Sequence, residues 1–219
     1  MRFLHTADWH LGRIFYGQYL TDDQAYVLEH QFFTILKEEK IDGILLAGDV
    51  FDRAVPPIEA IELWDSIITR LAMDYKVPLF VVSGNHDGAE RLEVGRSMLS
   101  ESGIHIWGSP HHALQPFEFE GADGRVAICP MPFSEPRRIG DALGLSSSES
   151  KPVDTDTAED TLFSYVDDKD QEEVALNLHN YDQMYQAWSD YLYKQVPKQM
   201  RSIAISHAFV MGGEVGGSE

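Results

Sequence analysis

The 219-residue sequence contains a single cysteine, Cys129. No disulfide can form within the chain, and this usage suits a reducing compartment. No apolar stretch approaches the roughly 20 residues that a membrane-spanning helix requires. Residues 1–30 also lack the basic start and unbroken apolar run of an export signal, because Asp8 and His10 interrupt them. A cytoplasmic location with no membrane partner is expected. Basic residues are scarce: 17 Lys plus Arg stand against 36 acids, for a net charge of −19. Taken over the whole chain, that argues against a polyanionic partner, because phosphate contacts need Lys and Arg. The imbalance is local, however. Residues 149–190 hold twelve of the acids and only two bases, Lys151 and Lys169. A basic groove elsewhere remains open.

What is present is a globular composition, 43% hydrophobic and 11% aromatic, long enough for one sizeable core. The first half alternates. "RFLHTAD" reads as a strand and "TDDQAYVLEHQFFTILKEEK" as a helix with a Thr21/Gln24 capping box and an apolar stripe at Ala25, Leu28, Phe32 and Ile35. "IDGILLAGD" reads as a strand buried on both faces. "PPIEAIELWDSIITRLAMD" is helical, with a stripe at Ala60, Trp64, Ile67 and Leu71, and "VPLFVVSGN" is another buried strand. Such alternation predicts an α/β layered fold with parallel strands, in which ligands gather beyond the carboxyl ends of the strands.

After residue 103 the pattern changes to shorter pieces, "IHIWG", "FEFEG" and "RVAICPMP", which predict a second sheet packed on the first. Residues 146–161 are polar and low in complexity, and read as a mobile surface loop. Residues 172–195 are expected to form one long helix with a stripe at Val174, Leu178, Tyr181, Tyr185, Trp188 and Leu192. That stripe is either core or a docking face for a second protomer. "SIAISHAFV" closes as a strand ending at His207. No internal repeat is visible.

Four polar clusters follow apolar runs by a residue or two: Asp8-Trp9-His10, Gly48-Asp49-Val50-Phe51-Asp52, Gly84-Asn85-His86-Asp87, and Ser206-His207. Strand ends in a twisted sheet converge on one rim, so these residues meet in space. Carboxylates, imidazoles and an amide oxygen suit Mn²⁺, Zn²⁺ or Fe²⁺, and no thiolate is on offer.

D-x-H, G-D-x-x-D and G-N-H-D, in this order and spacing, resemble the calcineurin-like binuclear metallophosphoesterases. "HTADWHLG", "AGDVFD", "SGNHDGAERL" and "PMPF" are similar, more narrowly, to the SbcD exonuclease subunits of bacteria. The likeness covers residues 1–145 and returns at 202–219. It implies an α-β-β-α sandwich of two mixed sheets flanked by helices, formed by residues 1–219 as one nuclease domain with an acidic flexible insert at 146–171. It also implies two divalent ions, Mn²⁺ first, with Mg²⁺, Zn²⁺ or Fe²⁺ as alternatives. Asp8 and His10 would bind one ion, Asp49 would bridge both, and Asn85 and His207 would bind the other. His86, steadied by Asp87, would protonate the leaving oxygen or stabilise the phosphorus centre. Asp52 would accept from His10 and fix its tautomer.

The family's later G-H-x-H occurs nowhere in the 219 residues. The expectation is a chain incomplete at its C-terminal end, and the alternative is a divergent protein with a defective site. Either way, weaker metal binding and little or no nuclease activity are expected. The resemblance further implies DNA as substrate, an SbcC-like ATPase as partner, a homodimer, and work on DNA ends and hairpins. Another phosphoesterase of this fold, acting on nucleotides or phosphoproteins, and an inactive scaffold are the alternatives. Arg13, Arg53 and Arg91, one after each motif, are expected to touch a phosphate backbone. His5 reads as a packed sheet residue, Trp9 as either packing or base stacking, and His111-His112 as a surface loop without acidic partners. His30, His105 and His179 are given no role.

Overall fold

The computed structural model describes residues 1–121, 123–145, 163–165, 174–176 and 179–208. In chain order the elements are β1 Phe3–Thr6, β2 Ile14–Phe15, β3 Gln18–Tyr19, α1 Thr21–Val27, α2 Phe33–Glu38, β4 Gly43–Ala47, α3 Ile58–Arg70, β5 Leu79–Val82, α4 Ala89–Leu92, α5 Arg96–Glu101, β6 Ile104–Trp107, β7 Phe117–Gly121, β8 Gly124–Met131, α6 Pro136–Ala142, β9 Phe163–Tyr165, β10 Val174–Leu176, α7 Tyr181–Gln195 and β11 Arg201–Ser206.

Strands β4 and β5 are buried residue by residue because they are covered on both faces. Ile44, Leu46, Leu79 and Val81 point to one cluster, shared with Phe33, Trp64, Ile67 and Leu71 of the helices. Leu45, Ala47, Phe80 and Val82 point to the other, shared with Ile128, Ile139, Trp188 and Ile205. Each fully buried aliphatic side chain of this kind contributes about 1.5–3 kcal/mol. The result is four layers: helices, a sheet ordered β1-β4-β5-β6, a sheet ordered β11-β8-β7, and α6 with α7. The α-β-β-α sandwich stands as expected. The first sheet is parallel throughout, and only the second is mixed.

Three expectations about elements need correction. Ile104–Trp107 joins the first sheet beside β5 rather than the second. The helix expected over 172–195 starts at Tyr181, where the Asn180 side chain accepts from Gln183 N, and Val174–Leu176 is instead a strand paired with Phe163–Tyr165. Leu178 and most of the expected insert, including all of 146–161, lie outside the described residues; within the insert, 163–165 is strand. Of the expected stripe, Trp188 and Leu192 are buried, beside Met184 and Ala187, while Tyr185 is half-buried and Tyr181 exposed; Trp188 Nε1 donates to Ala113 O at 3.1 Å.

The first helical stretch is also rephased. A π turn at Leu28–Phe32 separates α1 from α2, and such a turn carries an extra residue. Leu28, Phe32, Phe33 and Leu36 are buried while Ile35 is exposed. The expected capping box is absent: Thr21 already lies within α1, the cap position is Leu20, and no side chain caps it.

Candidate metal centre

The turns that follow β1 and β4 are zipped together by backbone hydrogen bonds, Asp8 N to Gly48 O, His10 N to Asp49 O and Leu11 N to Val50 O, at 2.9–3.1 Å. Asp8, His10 and Asp49 all have positive φ, at 56°, 44° and 49°. Non-glycine residues rarely adopt this region, at a cost of about 1–3 kcal/mol each, and it persists where the surroundings over-determine it. Two glycines are required by space. A Cβ on Gly84 would overlap the Asp49 carboxylate, and one on Gly48, at φ 85°, would overlap the His207 ring.

Asp49 is the centre. It is 3% exposed. Its Oδ1 accepts from His86 N at 2.9 Å, which leaves Oδ2 facing His10 Nε2 at 3.5 Å and His207 Nε2 at 3.7 Å. Asp8 Oδ1 lies 4.0 Å from His10 Nε2. Two groups of donors lie within 4.8 Å of one another, His10–Asp49–His86 and Asp8–Asp49–His207. Asp49 belongs to both. Asn85 joins the second through Oδ1, 3.0 Å from His207 Nε2.

His207 Nδ1 faces the Ala47 carbonyl at 2.9 Å. A carbonyl can only accept, so this nitrogen carries the proton and Nε2 presents a lone pair. That lone pair, Asn85 Oδ1 and Asp49 Oδ2 converge with no donor between them, an arrangement that needs a cation or a further proton. Among the described residues no lysine or arginine pairs with Asp8, Asp49 or Asp52, so the buried carboxylate lacks the cationic partner that burial demands. Oxygen and imidazole donors of this kind fit divalent Mn, Fe or Zn. The residues present therefore suit two such ions sharing Asp49.

The cleft over these donors has a volume of about 870 Å³ and is also bordered by His5, Arg13, Asp52 and Phe133. His10 Nδ1 is buried and lies 3.4 Å from Asp52 Oδ1. Asp52 is thus close to His10, but the hydrogen bond that the resemblance implies is not formed. His86 differs from the expectation. Its Nδ1 faces the Asp52 carbonyl at 2.9 Å, and its ring meets that of His10 edge-on at 4.9 Å.

Asp87 does not hold the His86 ring. Its carboxylate accepts from Gly84 N, Phe51 N and Val50 N at 2.8–3.2 Å, so it stitches the third motif to the second. Burial pushes its pKa up, the three backbone donors oppose that, and the nearby Asp49 charge adds to it. Asp87 is a positioning residue here.

The three arginines are not alike. Arg13 borders the cleft. Arg53 is exposed and absent from the cleft wall. Arg91 donates to the Ala54 carbonyl at 2.9 Å and borders a separate apolar depression with Trp64, Leu92 and Met98. Trp9 is a packing residue, edge-on to Phe32 and Trp64, with its indole N–H donated to Thr6 Oγ1. His112 does have an acidic partner: Glu93 Oε2 lies 2.8 Å away, and Glu93 also receives Gly108 N and Ser109 N. Sequence reasoning missed Glu93, which lies well before the histidine pair, and misread Gln24. A family model described as calcineurin-like phosphoesterase matches residues 1–208.

Proposed function

The chain belongs to the calcineurin-like phosphoesterases, a family of metal-dependent phosphoester hydrolases, and on that premise we propose that it is a DNA phosphodiesterase of the SbcD kind. In this reading the whole chain forms one nuclease domain. It uses Mn²⁺, with Mg²⁺, Zn²⁺ or Fe²⁺ as substitutes, and it works in the cytoplasm as a homodimer beside an SbcC-like ATPase on DNA ends and hairpins. The observation that carries the hydrolase reading is Asp49 Oδ2, set between the imidazoles of His10 and His207. The nuclease reading is supported by the sequence likeness around the motifs and by Arg13 on the cleft wall.

Asp8, His10, Asp49, Asn85 and His207 would hold the ions. When bound, the ions would supply charge neutralisation at the phosphate and a more acidic water for an in-line displacement. The protein supplies the rest. Asp49 and His207 fix the floor of the cleft from two different sheets. His86 carries its proton on Nδ1, donated to the Asp52 carbonyl. Its Nε2 then serves the leaving oxygen as a proton donor when the ring is charged. Arg13 supplies a fixed positive charge at the mouth, where a phosphate backbone would pass.

A second reading has its own support: only one of the three motif arginines borders the cleft, which favours a nucleotide-sized ester over long duplex DNA. The test is hydrolysis of bis(p-nitrophenyl) phosphate with Mn²⁺, with linear duplex DNA as competitor. Slow hydrolysis that EDTA abolishes and DNA inhibits is the expected result. Metal-dependent hydrolysis without competition would assign the smaller substrate, and no metal-dependent hydrolysis would leave a scaffold.

A further inference from the structure

Behind the D-x-H turn, on the side away from the cleft, lies the amide of Gln24. Its Nε2 donates to the carbonyls of Trp9 at 3.0 Å and His10 at 2.8 Å, and its Oε1 accepts from Gly12 N at 3.0 Å. One side chain on α1 therefore closes three backbone groups within residues 9–12. The other side of the same turn is held by the strand-end ladder, through Asp8 N, His10 N and Leu11 N. His10 is gripped from both sides: its N–H goes to Asp49 O, while its C=O receives Gln24 Nε2 and Arg13 N.

This grip matters because Asp8 and His10 both sit at positive φ. Left-handed backbone at non-glycine residues relaxes unless its surroundings enforce it. Gln24 borders an apolar groove of about 520 Å³ with Trp9, Leu11, Leu28 and Phe32. Its three hydrogen bonds are part-buried, and a carbonyl left without a partner there is costly.

We propose that Gln24 is a positioning residue for the metal centre: it sets the conformation of residues 8–12 from behind, and so aims the Asp8 and His10 side chains into the cleft without itself entering it. The metal half of this statement rests on the reading of Asp8 and His10 given above.

The test uses the 219-residue protein and two near-isosteric substitutions. Gln24→Leu removes all three bonds, while Gln24→Glu keeps an acceptor for Gly12 N and loses both donated bonds. Hydrogen exchange of the metal-free protein is read first. Both variants are expected to speed exchange of the amides of residues 8–13 at least tenfold, with β5 unchanged. Mn²⁺ titration is read second. Both variants are expected to weaken Mn²⁺ binding at least tenfold, most strongly at the ion that His10→Ala removes, because Asp8 also reaches the His207 group. Unchanged exchange at 8–13, or faster exchange there with Mn²⁺ affinity unchanged, overturns the proposal. Faster exchange in a protein whose parent chain takes up no Mn²⁺ would uphold Gln24 as the support of the turn and overturn the metal reading instead.

Discussion

His207 and Asp49 follow strands of different sheets, yet His207 Nε2 lies 3.7 Å from Asp49 Oδ2. The Ala47 carbonyl fixes the ring from behind, so the second sheet is tied to the first at the centre of the site. His10 groups with Asp49 and His86, apart from His207, while Asp8 reaches toward both sides of Asp49. Replacing His207 by Ala should therefore remove one ion and keep the other. Isothermal titration with Mn²⁺ should show uptake falling from two ions per chain to one, with the thermal midpoint of the metal-free protein nearly unchanged.

In the proposed site Asp52 would act through His10. Its carboxylate lies 3.4 Å from His10 Nδ1, where its charge would favour the tautomer that leaves Nε2 free for an ion. Loss of such a partner weakens metal binding by about 10- to 100-fold. Asp52→Ala should show that loss in Mn²⁺ affinity while stoichiometry at saturating metal stays the same. Its backbone carbonyl, which receives the His86 ring, remains in the variant.

The arginines separate by position. Arg13→Glu should weaken DNA binding and lower the slope of log affinity against log salt by about one contact. Arg91→Glu should leave that slope unchanged, because Arg91 is spent on the Ala54 carbonyl; its effect should fall on thermal stability. Fluorescence anisotropy across a salt series reads the first, and a melting curve the second.

His105 carries a pH dependence. It lies against Phe80 and Phe117, and burial lowers its pKa from 6.5 to about 4. The unfolded chain takes up this proton near pH 6.5 and the folded chain only near 4. The stability is therefore complete above about 6.5 and is lost progressively as pH falls toward 4. Because the ring is partly accessible, the loss is on the order of 1–2 kcal/mol. His105→Phe should flatten the fall in melting temperature between pH 6.5 and 4.5.

Much of this architecture is legible in the sequence. Gly43–Ala47 and Leu79–Val82 read correctly as buried strands because both of their faces are covered, so no polar residue interrupts them. Asp49 and Asn85 are recognisable because each follows such a strand closely, and Asp8, His10 and His207 because they follow the part-buried strands β1 and β11. Ile104–Trp107 is harder to assign: a histidine inside it hides a strand of the first sheet, since His105 stacks on Phe80 and packs against Phe117. The start of α7 was obscured because Val174 continues the helical spacing although it belongs to a strand. Gln24 fits a capping pattern by spacing alone. Only its hydrogen bonds to Trp9, His10 and Gly12 show where the amide is used.

The account depends on one carboxylate serving two cations, and Mn²⁺ uptake by Asp49→Asn beside the parent protein tests that most directly. Two ions per chain for the parent and less than one for the variant is the predicted result. A variant that still takes up two ions at the parent's affinity, or a parent that takes up none, would contradict it.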